Sequence, residues 1–296
     1  MSSRSPTLWV VATPIGNHGD LSERCRATLE AADVILAEDT RQAGLLCQRL
    51  GLQNKRFVSL FEHNEAARIE QAVSLLEQGQ SLALISNAGS PVISDPGYQL
   101  VRACLQAGFT VSPIPGPSAP MAALMVSGLP PIPYTFLGFL PRKAGEKRRL
   151  LDSFGRQATT LIFFERKSRL SESLGLAHER LGPRQACLAR ELTKRYEELI
   201  HFRLGEWDRL PESFKGEFTI LIGPEDKQAR RTSDREVQAL LRQRLGQGDS
   251  AREAARRVQS ETRGWSSKEL YSLFLDLKQE QDTGDTEPES GGDREA

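Results

Sequence analysis

Within this 296-residue chain, a few polar side chains sit where apolar runs end, and these could move a proton or hold a phosphate. Glu38-Asp39-Thr40-Arg41 follows the run Asp33 to Ala37 and offers two carboxylates beside a guanidinium. His63, flanked by Glu62 and Asn64, follows Phe57 to Leu60 and offers a second kind of proton acceptor. The plainer alternatives are a helix cap at Asp39 paired with Arg41, and a residue preceding an Asn64 cap at His63. A third loop, Ser86 to Gly97, follows the apolar run Leu82 to Ile85 and consists of small residues. Gly89 and Gly97 are free to take positive φ, so a ligand could reach the main chain there; an ordinary strand–turn–helix connection is the other reading. Asp95 fits the N-cap of the next helix and Pro96 its first turn. Arg142-Lys143 and Lys147-Arg148-Arg149 form a basic run after the apolar loop Gly138-Phe139-Leu140-Pro141. Such a run is usually a solvated helix face, but basic charge beside a cleft is what a phosphate-bearing substrate needs.

Several familiar chemistries lack their motifs. No Gly-x-Gly-x-x-Gly follows the first strand, and there is no P-loop, His-Glu-x-x-His or Gly-x-Ser-x-Gly pattern. His18, His63, His178 and His201 lack metal-ligand spacing, so no metal is expected. Cys25, Cys47, Cys104 and Cys187 are scattered, which suits buried thiols in a reducing cytoplasm rather than a disulfide framework. Formal net charge is +0, so nucleic-acid contact would depend on local basic patches. No apolar run spans a bilayer and no signal-peptide pattern opens the chain, so no membrane partner is expected.

Strands alternating with amphipathic helices must carry these loops. Strands are expected at Leu8–Ala12, Asp33–Ala37, Phe57–Leu60, Leu82–Ile85 and Thr110–Ile114, which predicts a mainly parallel α/β layer over residues 1–116. Pro115-Gly116-Pro117 reads as a junction. Beyond it, residues 117–224 hold a small-residue helix from about Ala119 to Ser127. Further strands are expected at Tyr134–Phe139, Thr159–Phe164, Ala186–Ala189 and Phe218–Ile222, in a sheet either parallel or mixed. Residues 225–278 read as a small helical module opened by the capping-box patterns Ser250-x-x-Glu253 and Ser266-x-x-Glu269. The acidic, Gly-rich stretch 279–296 is expected to be disordered.

Read together, nine loop motifs resemble one family. They are Thr13–Asn17, Glu38–Arg41, His63–Glu65, Ser86–Pro91, Asp95–Tyr98, Pro115–Ala119, Gly138–Pro141, Ala189–Lys194 and Lys215–Glu217, in that order. The chain is similar to the bacterial small-subunit ribosomal RNA 2′-O-methyltransferases of the tetrapyrrole methylase superfamily, over nearly all of residues 7–224. The resemblance implies a two-domain tetrapyrrole methylase-like (class III methyltransferase) α/β fold with a helical C-terminal module. It implies a homodimer that uses S-adenosylmethionine to methylate a cytidine ribose in the decoding region of 16S rRNA, within the assembled small subunit or as free rRNA. By position, Pro14, Gly16, Ala88, Gly89, Ser90, Ser118, Ala119, Leu140, Ala189, Glu191, Leu192 and Gly216 would bind the cofactor. Glu38, Asp39 and His63 are then the candidate bases, Arg41 and Arg142 would orient phosphates, and Lys143 and Arg148 would extend the RNA contact.

The chain departs from the family pattern at a few positions. Asn87 and Ser90 stand where Asp and Thr are usual, the Phe164–Arg169 segment keeps only its Glu and final Arg, and His18 replaces an apolar residue. Two other readings remain open: a porphyrinoid C-methylase of the same fold, and a nucleic-acid-binding regulator acting through Ser250–Leu277.

Overall fold

The apolar runs of the first half form one parallel sheet whose central strands β2 and β4 are buried on both faces, as parallel strands sandwiched by helices must be. The computed structural model describes residues 5–61, 64–155, 157–211, 215–225, 232–262 and 264–284. Strands β1 (Thr7–Val11), β2 (Val34–Ala37), β3 (Arg56–Ser59), β4 (Leu82–Ile85) and β5 (Thr110–Ile114) pair in the order β3-β2-β4-β1-β5, all parallel. Every residue of β2 and β4 is buried, and each such Leu or Ile contributes roughly 1.5–3 kcal/mol. Helices α1 (Glu23–Ala31), α2 (Thr40–Arg49), α3 (Glu65–Glu77) and α4 (Tyr98–Gln106) make the crossovers. The loops at the carboxyl ends of β1, β2, β4 and β5 therefore share one edge of the sheet.

Helix α5 (Ala119–Val126) leads to a second sheet of β6 (Tyr134–Phe139), β7 (Thr160–Arg166), β8 (Gln185–Arg190), β9 (Glu198–Arg203) and β10 (Glu217–Ile222). Its order is β6-β7-β10-β8-β9, with β6 and β7 parallel and the other pairs antiparallel, so the sheet is mixed. Helices α6 (Ala144–Gly155) and α7 (Lys167–Leu181) pack on it. Edge strand β9 was not anticipated, because its half-exposed residues carry no buried apolar run. A shared core joins the two sheets: Ile15, from the loop after β1, packs with Ala123 and Leu124 of α5 and with Ile162, Cys187 and Leu221. All four cysteines are free and buried.

The described residues from 225 onward form a separate compact unit. Helices α8 (Asp234–Gly246), α9 (Ala251–Glu261) and α10 (Ser267–Gly284) enclose Val237, Leu241, Val258, Leu270 and Phe274. Both expected capping boxes form, and Ser233 with Glu236 makes a third. Helix α10 continues to Gly284, into the stretch expected to be disordered, because Gln and Glu at 279–281 favour helix. Residues 285–296 lie outside the described residues. Among the described residues no helix is long and apolar enough to cross a membrane.

Candidate functional site

A cavity of about 410 Å³ opens between the carboxyl edge of the first sheet and one face of the second, within the size range of small-ligand sites. The first sheet supplies Ile15 after β1, Glu38 after β2, Asn87 to Ser90 and Ile93 to Asp95 after β4, and Ser118 to Pro120 after β5. The second supplies Phe139, Phe164 to Lys167, Ala189, Leu192 and Gly216 to Thr219.

The small-residue loop after β4 is held from below. Gly89 and Thr13 exchange both backbone hydrogen bonds, at 2.8 and 3.0 Å, and the Thr13 hydroxyl donates to the Ser86 carbonyl at 3.2 Å. Gly89 adopts φ +79°, where a side chain would press on Ile15. The Ser90 hydroxyl donates to the Pro117 carbonyl at 3.3 Å, fastening this loop to the one after β5. Asn87 Nδ2 donates to Glu38 Oε2 at 3.0 Å. An aspartate at that position would repel Glu38, so this chain's Asn ties together two loops that the more usual residue would push apart.

Further along, the expected helix start is overturned. Helix α4 begins at Tyr98 with Gly97 as its N-cap, and Asp95 does not cap it. Glu65, at the start of α3, reaches across instead, and its Oε1 accepts from the amides of Gly97 and Gln99 at 3.2 Å each. Because the helix's anionic partner comes from another element, the Asp95 carboxyl is left on the cavity wall. Burial first, and the neighbouring Glu38 carboxylate second, push Asp95 up to about 6, against the opposing pull of the Ser86 hydroxyl.

The opposite wall rests on a buried ionic chain. Glu165 is 2% exposed. Its Oε1 accepts from the Arg166 amide at 2.9 Å and pairs with Arg169, while its Oε2 accepts from the Ser173 hydroxyl at 2.6 Å. Ser173 in turn accepts from Lys147 Nζ at 3.0 Å, and Lys147 pairs with Glu172 at 2.9 Å. Arg169 also donates to the Leu140 carbonyl at 3.2 Å, clamping the loop after β6. Lys147 is thus fully buried, not part of the solvated basic face that the run Lys147-Arg148-Arg149 suggests. In front of this chain Phe139 and Phe164 lie 5.3 Å apart, tilted by 56°, and Phe139 is half-exposed.

A third support is the turn after β8. Glu191 Oε1 accepts from the Glu217 amide at 2.9 Å and from Lys194 Nζ at 3.0 Å, and Lys194 also pairs with Glu217. Gly16 packs so tightly against Thr193 and Lys194 that a Cβ there would overlap both, and the Asn17 amide donates to Thr193 Oγ1 at 3.0 Å. Burial would raise the Glu191 carboxyl, but the Glu217 amide and Lys194 outweigh it and hold it low. For Lys194 burial works downward, and Glu217 and Glu191 reverse the sign. A lowered carboxyl stabilises the fold above its ordinary 4.5 and loses that contribution as pH falls through the depressed value. The melting advantage of wild type over Glu191→Gln is therefore expected to shrink as pH drops below 4.5, a trend that melting curves read directly.

The sequence-predicted residues divide cleanly in space. Glu38, Ala88, Gly89, Ser90, Ser118, Ala119, Ala189, Leu192 and Gly216 line the cavity. Pro14, Gly16, Leu140 and Glu191 do not; Pro14 and Leu140 are buried, and Gly16 and Glu191 brace the wall as described. Asp39 is spent as the N-cap of α2, accepting from the Arg41 and Gln42 amides, and the Arg41 amide first of all holds its carboxyl low. Arg41 is exposed and pairs with Asp39 at 3.4 Å, so neither enters the cavity. His63 lies outside the described residues. Arg142, Lys143 and Arg148 are exposed at the start of α6, with Lys143 near Glu146 at 3.5 Å and Arg148 near Glu179 at 3.7 Å. Asp95, Glu165, Arg166 and the Phe139–Phe164 pair were not among the predicted site residues, although Asp95, Phe139 and Glu165 fall within motifs quoted from the sequence. Among the described residues no cluster of His, Cys, Asp and Glu gathers as a metal site.

A parallel sheet joined to a mixed one, with a cavity at the carboxyl edge and no dinucleotide fingerprint, defines a two-lobed α/β architecture with a small-ligand site. The family model described as Tetrapyrrole (Corrin/Porphyrin) Methylases matches residues 7–208. The chain is 41% identical to the ribosomal RNA small subunit methyltransferase I of Mesorhizobium japonicum, over 95% of each. Among solved structures it resembles the methyltransferase CobJ, with TM-score 0.60 and 19% identity, covering 77% of this chain and 97% of that one. It also resembles the uroporphyrin-III C-methyltransferase of Thermus thermophilus complexed with S-adenosyl homocysteine, with TM-score 0.54 and 20% identity, covering 74% and 97%. The chain belongs to the tetrapyrrole methylase family and, within it, to the ribosomal RNA small subunit methyltransferase I group.

Proposed function

We propose that this protein transfers a methyl group from S-adenosylmethionine to small-subunit ribosomal RNA, at the ribose 2′-hydroxyl of a cytidine in the decoding region. The observation that carries the reading is the cavity itself. Its walls offer a half-exposed aromatic ledge at Phe139 and Phe164, a small-residue backbone at Ala88 to Ser90, and the carboxyls of Glu38 and Asp95. Those features suit a flat base, polar sugar and amino-acid groups, and a cationic centre, respectively. S-adenosylmethionine supplies a methyl group on a positively charged sulfur, which needs no metal to react. Gly16, Leu140 and Glu191 brace the cavity from behind.

The RNA reading is supported by the name of the Mesorhizobium relative and by the basic start of α6, which begins just past the cavity-lining Phe139. Arg142, Lys143 and Arg148 there would hold phosphates while the reacting ribose enters. Positioning then does most of the chemical work. The protein would act in the cytoplasm as a homodimer, on the assembled subunit or free rRNA.

The test is transfer of labelled methyl to small subunits lacking the modification, to naked rRNA and to a porphyrinoid precursor. Label at a ribose 2′-oxygen is the expected result. Label on the porphyrinoid alone would overturn the substrate and keep the fold.

A further inference from the structure

His18, which stands where an apolar residue is usual, meets a second basic group. Its ring Nε2 is in direct hydrogen-bond contact with Nη1 of Arg49, 31 residues away in the last turn of α2. A guanidinium has donors only, so the imidazole must turn a lone pair toward it. Among the described residues no carboxylate pairs with either side chain, and α2 itself carries no acidic residue. The helix dipole favours a cation in a last turn, which accounts for Arg49 but not for a second basic side chain held against it. The fold fixes that second group in place. The Asn17 amide is fastened to Thr193 Oγ1, and the Asn17 side chain accepts from the Gly19 amide at 2.9 Å, shaping the helical turn His18–Asp20.

His18 and Arg49 are both exposed, and with Gln42, Ser86 and Asn87 they line a hollow of about 70 Å³. Beside the 410 Å³ of the main cavity, that suits a compact group rather than a nucleoside. Asn87 lines both spaces, so hollow and cavity lie against the same loop after β4.

We propose that His18 and Arg49 form a phosphate clamp, holding a phosphodiester of the substrate RNA on the first-sheet side of the cavity. This rests on the RNA reading above. The basic start of α6 follows Phe139 on the second sheet, so a strand crossing the cavity would meet basic side chains on both sides of it. A phosphate oxygen takes the place of the imidazole as acceptor for Arg49, supplying the negative charge that the ring lacks. The released imidazole turns its own ring N–H to a second oxygen. Such a contact fixes the register of the strand and carries no base preference.

The experiment measures binding and methylation of small subunits lacking the modification, and of naked rRNA, by wild type, Arg49→Gln, Arg49→Lys, His18→Leu and Arg56→Gln. Affinity for S-adenosyl homocysteine and melting temperature are followed alongside. Arg56 is exposed at the amino end of edge strand β3, so Arg56→Gln removes the same charge from the opposite edge of the first sheet. Arg49→Gln is expected to weaken RNA binding about tenfold. KM should rise by the same factor with kcat kept, and the slope of log affinity against log salt should fall by about 0.7. Arg49→Lys should keep the slope, His18→Leu should cost about threefold in affinity, and S-adenosyl homocysteine should bind every variant as it binds wild type. A wild-type salt slope in Arg49→Gln, an affinity loss no larger than that of Arg56→Gln, or lost S-adenosyl homocysteine binding would overturn the clamp. If Arg49→Gln fails to fold, His18→Leu against Arg56→Gln decides in the same way. Methylation of RNA by wild type and Arg49→Gln with equal KM strikes the clamp alone, whereas methylation of a porphyrinoid and no RNA by wild type strikes the proposed function and the clamp with it.

Discussion

Replacing Glu165 by glutamine is expected to destabilise the protein by about 3–5 kcal/mol, the range for removing one partner of a buried ion pair. Both carboxylate oxygens are committed, to Arg169 and the Arg166 amide on one side and to the Ser173 hydroxyl on the other. A glutamine has one acceptor where two are needed. If its amide nitrogen faces Ser173, it meets an oxygen that already accepts from Lys147. If it faces Arg169, two donors oppose each other at a buried position. For a unit of this size the loss corresponds to a fall in melting temperature of roughly 10 °C. Because Arg169 also holds the Leu140 carbonyl, the loop after β6 should loosen too, visible as faster amide exchange at residues 138–141. A change under about 1 kcal/mol would mean that the ionic chain does not carry the wall.

Gly216→Ala is expected to weaken binding of S-adenosyl homocysteine by about tenfold or more, with ~1.4 kcal/mol per tenfold. Gly216 lines the cavity at φ +112°, and a Cβ there would overlap the Glu191 carboxyl. Glu191 would have to move, releasing the Glu217 amide and Lys194 together. The backbone strain alone costs of order 1–3 kcal/mol. Titration calorimetry reads the affinity directly, and an unchanged affinity would remove the 216–217 wall from the binding site.

Much of this architecture was legible because parallel strands announce themselves. Leu82 to Ile85 is apolar without interruption since both of its faces are covered, and the small-residue loop behind it could be read for the same local reason. Asp39, a candidate base on sequence, proves to be the cap that was its plainer alternative, because a cap acts within its own turn. What stayed hidden depends on contacts distant in sequence. Asp95 looks like a helix cap until Glu65, from the preceding helix, is seen to occupy that role. Lys147 looks solvated until Glu172 and Ser173 close over it from α7. Gly16 is placed at the cofactor by resemblance, yet its smallness serves the contact with Thr193 and Lys194. Local chemistry predicts which residues a loop contains, whereas tertiary packing decides which of them remain free to act.

The cavity draws its walls from both sheets, and neither sheet alone encloses it. Any molecule that fills it therefore works as mortar between two bricks, and its binding energy is also cohesion energy for residues 7–222. At a concentration of 100 times its dissociation constant, such a molecule would add about 2.7 kcal/mol to the stability of the pair. Starved of its ligand, the protein would be the more easily prised apart along this seam, so the supply of the small molecule would set the lifetime of the protein as well as its turnover.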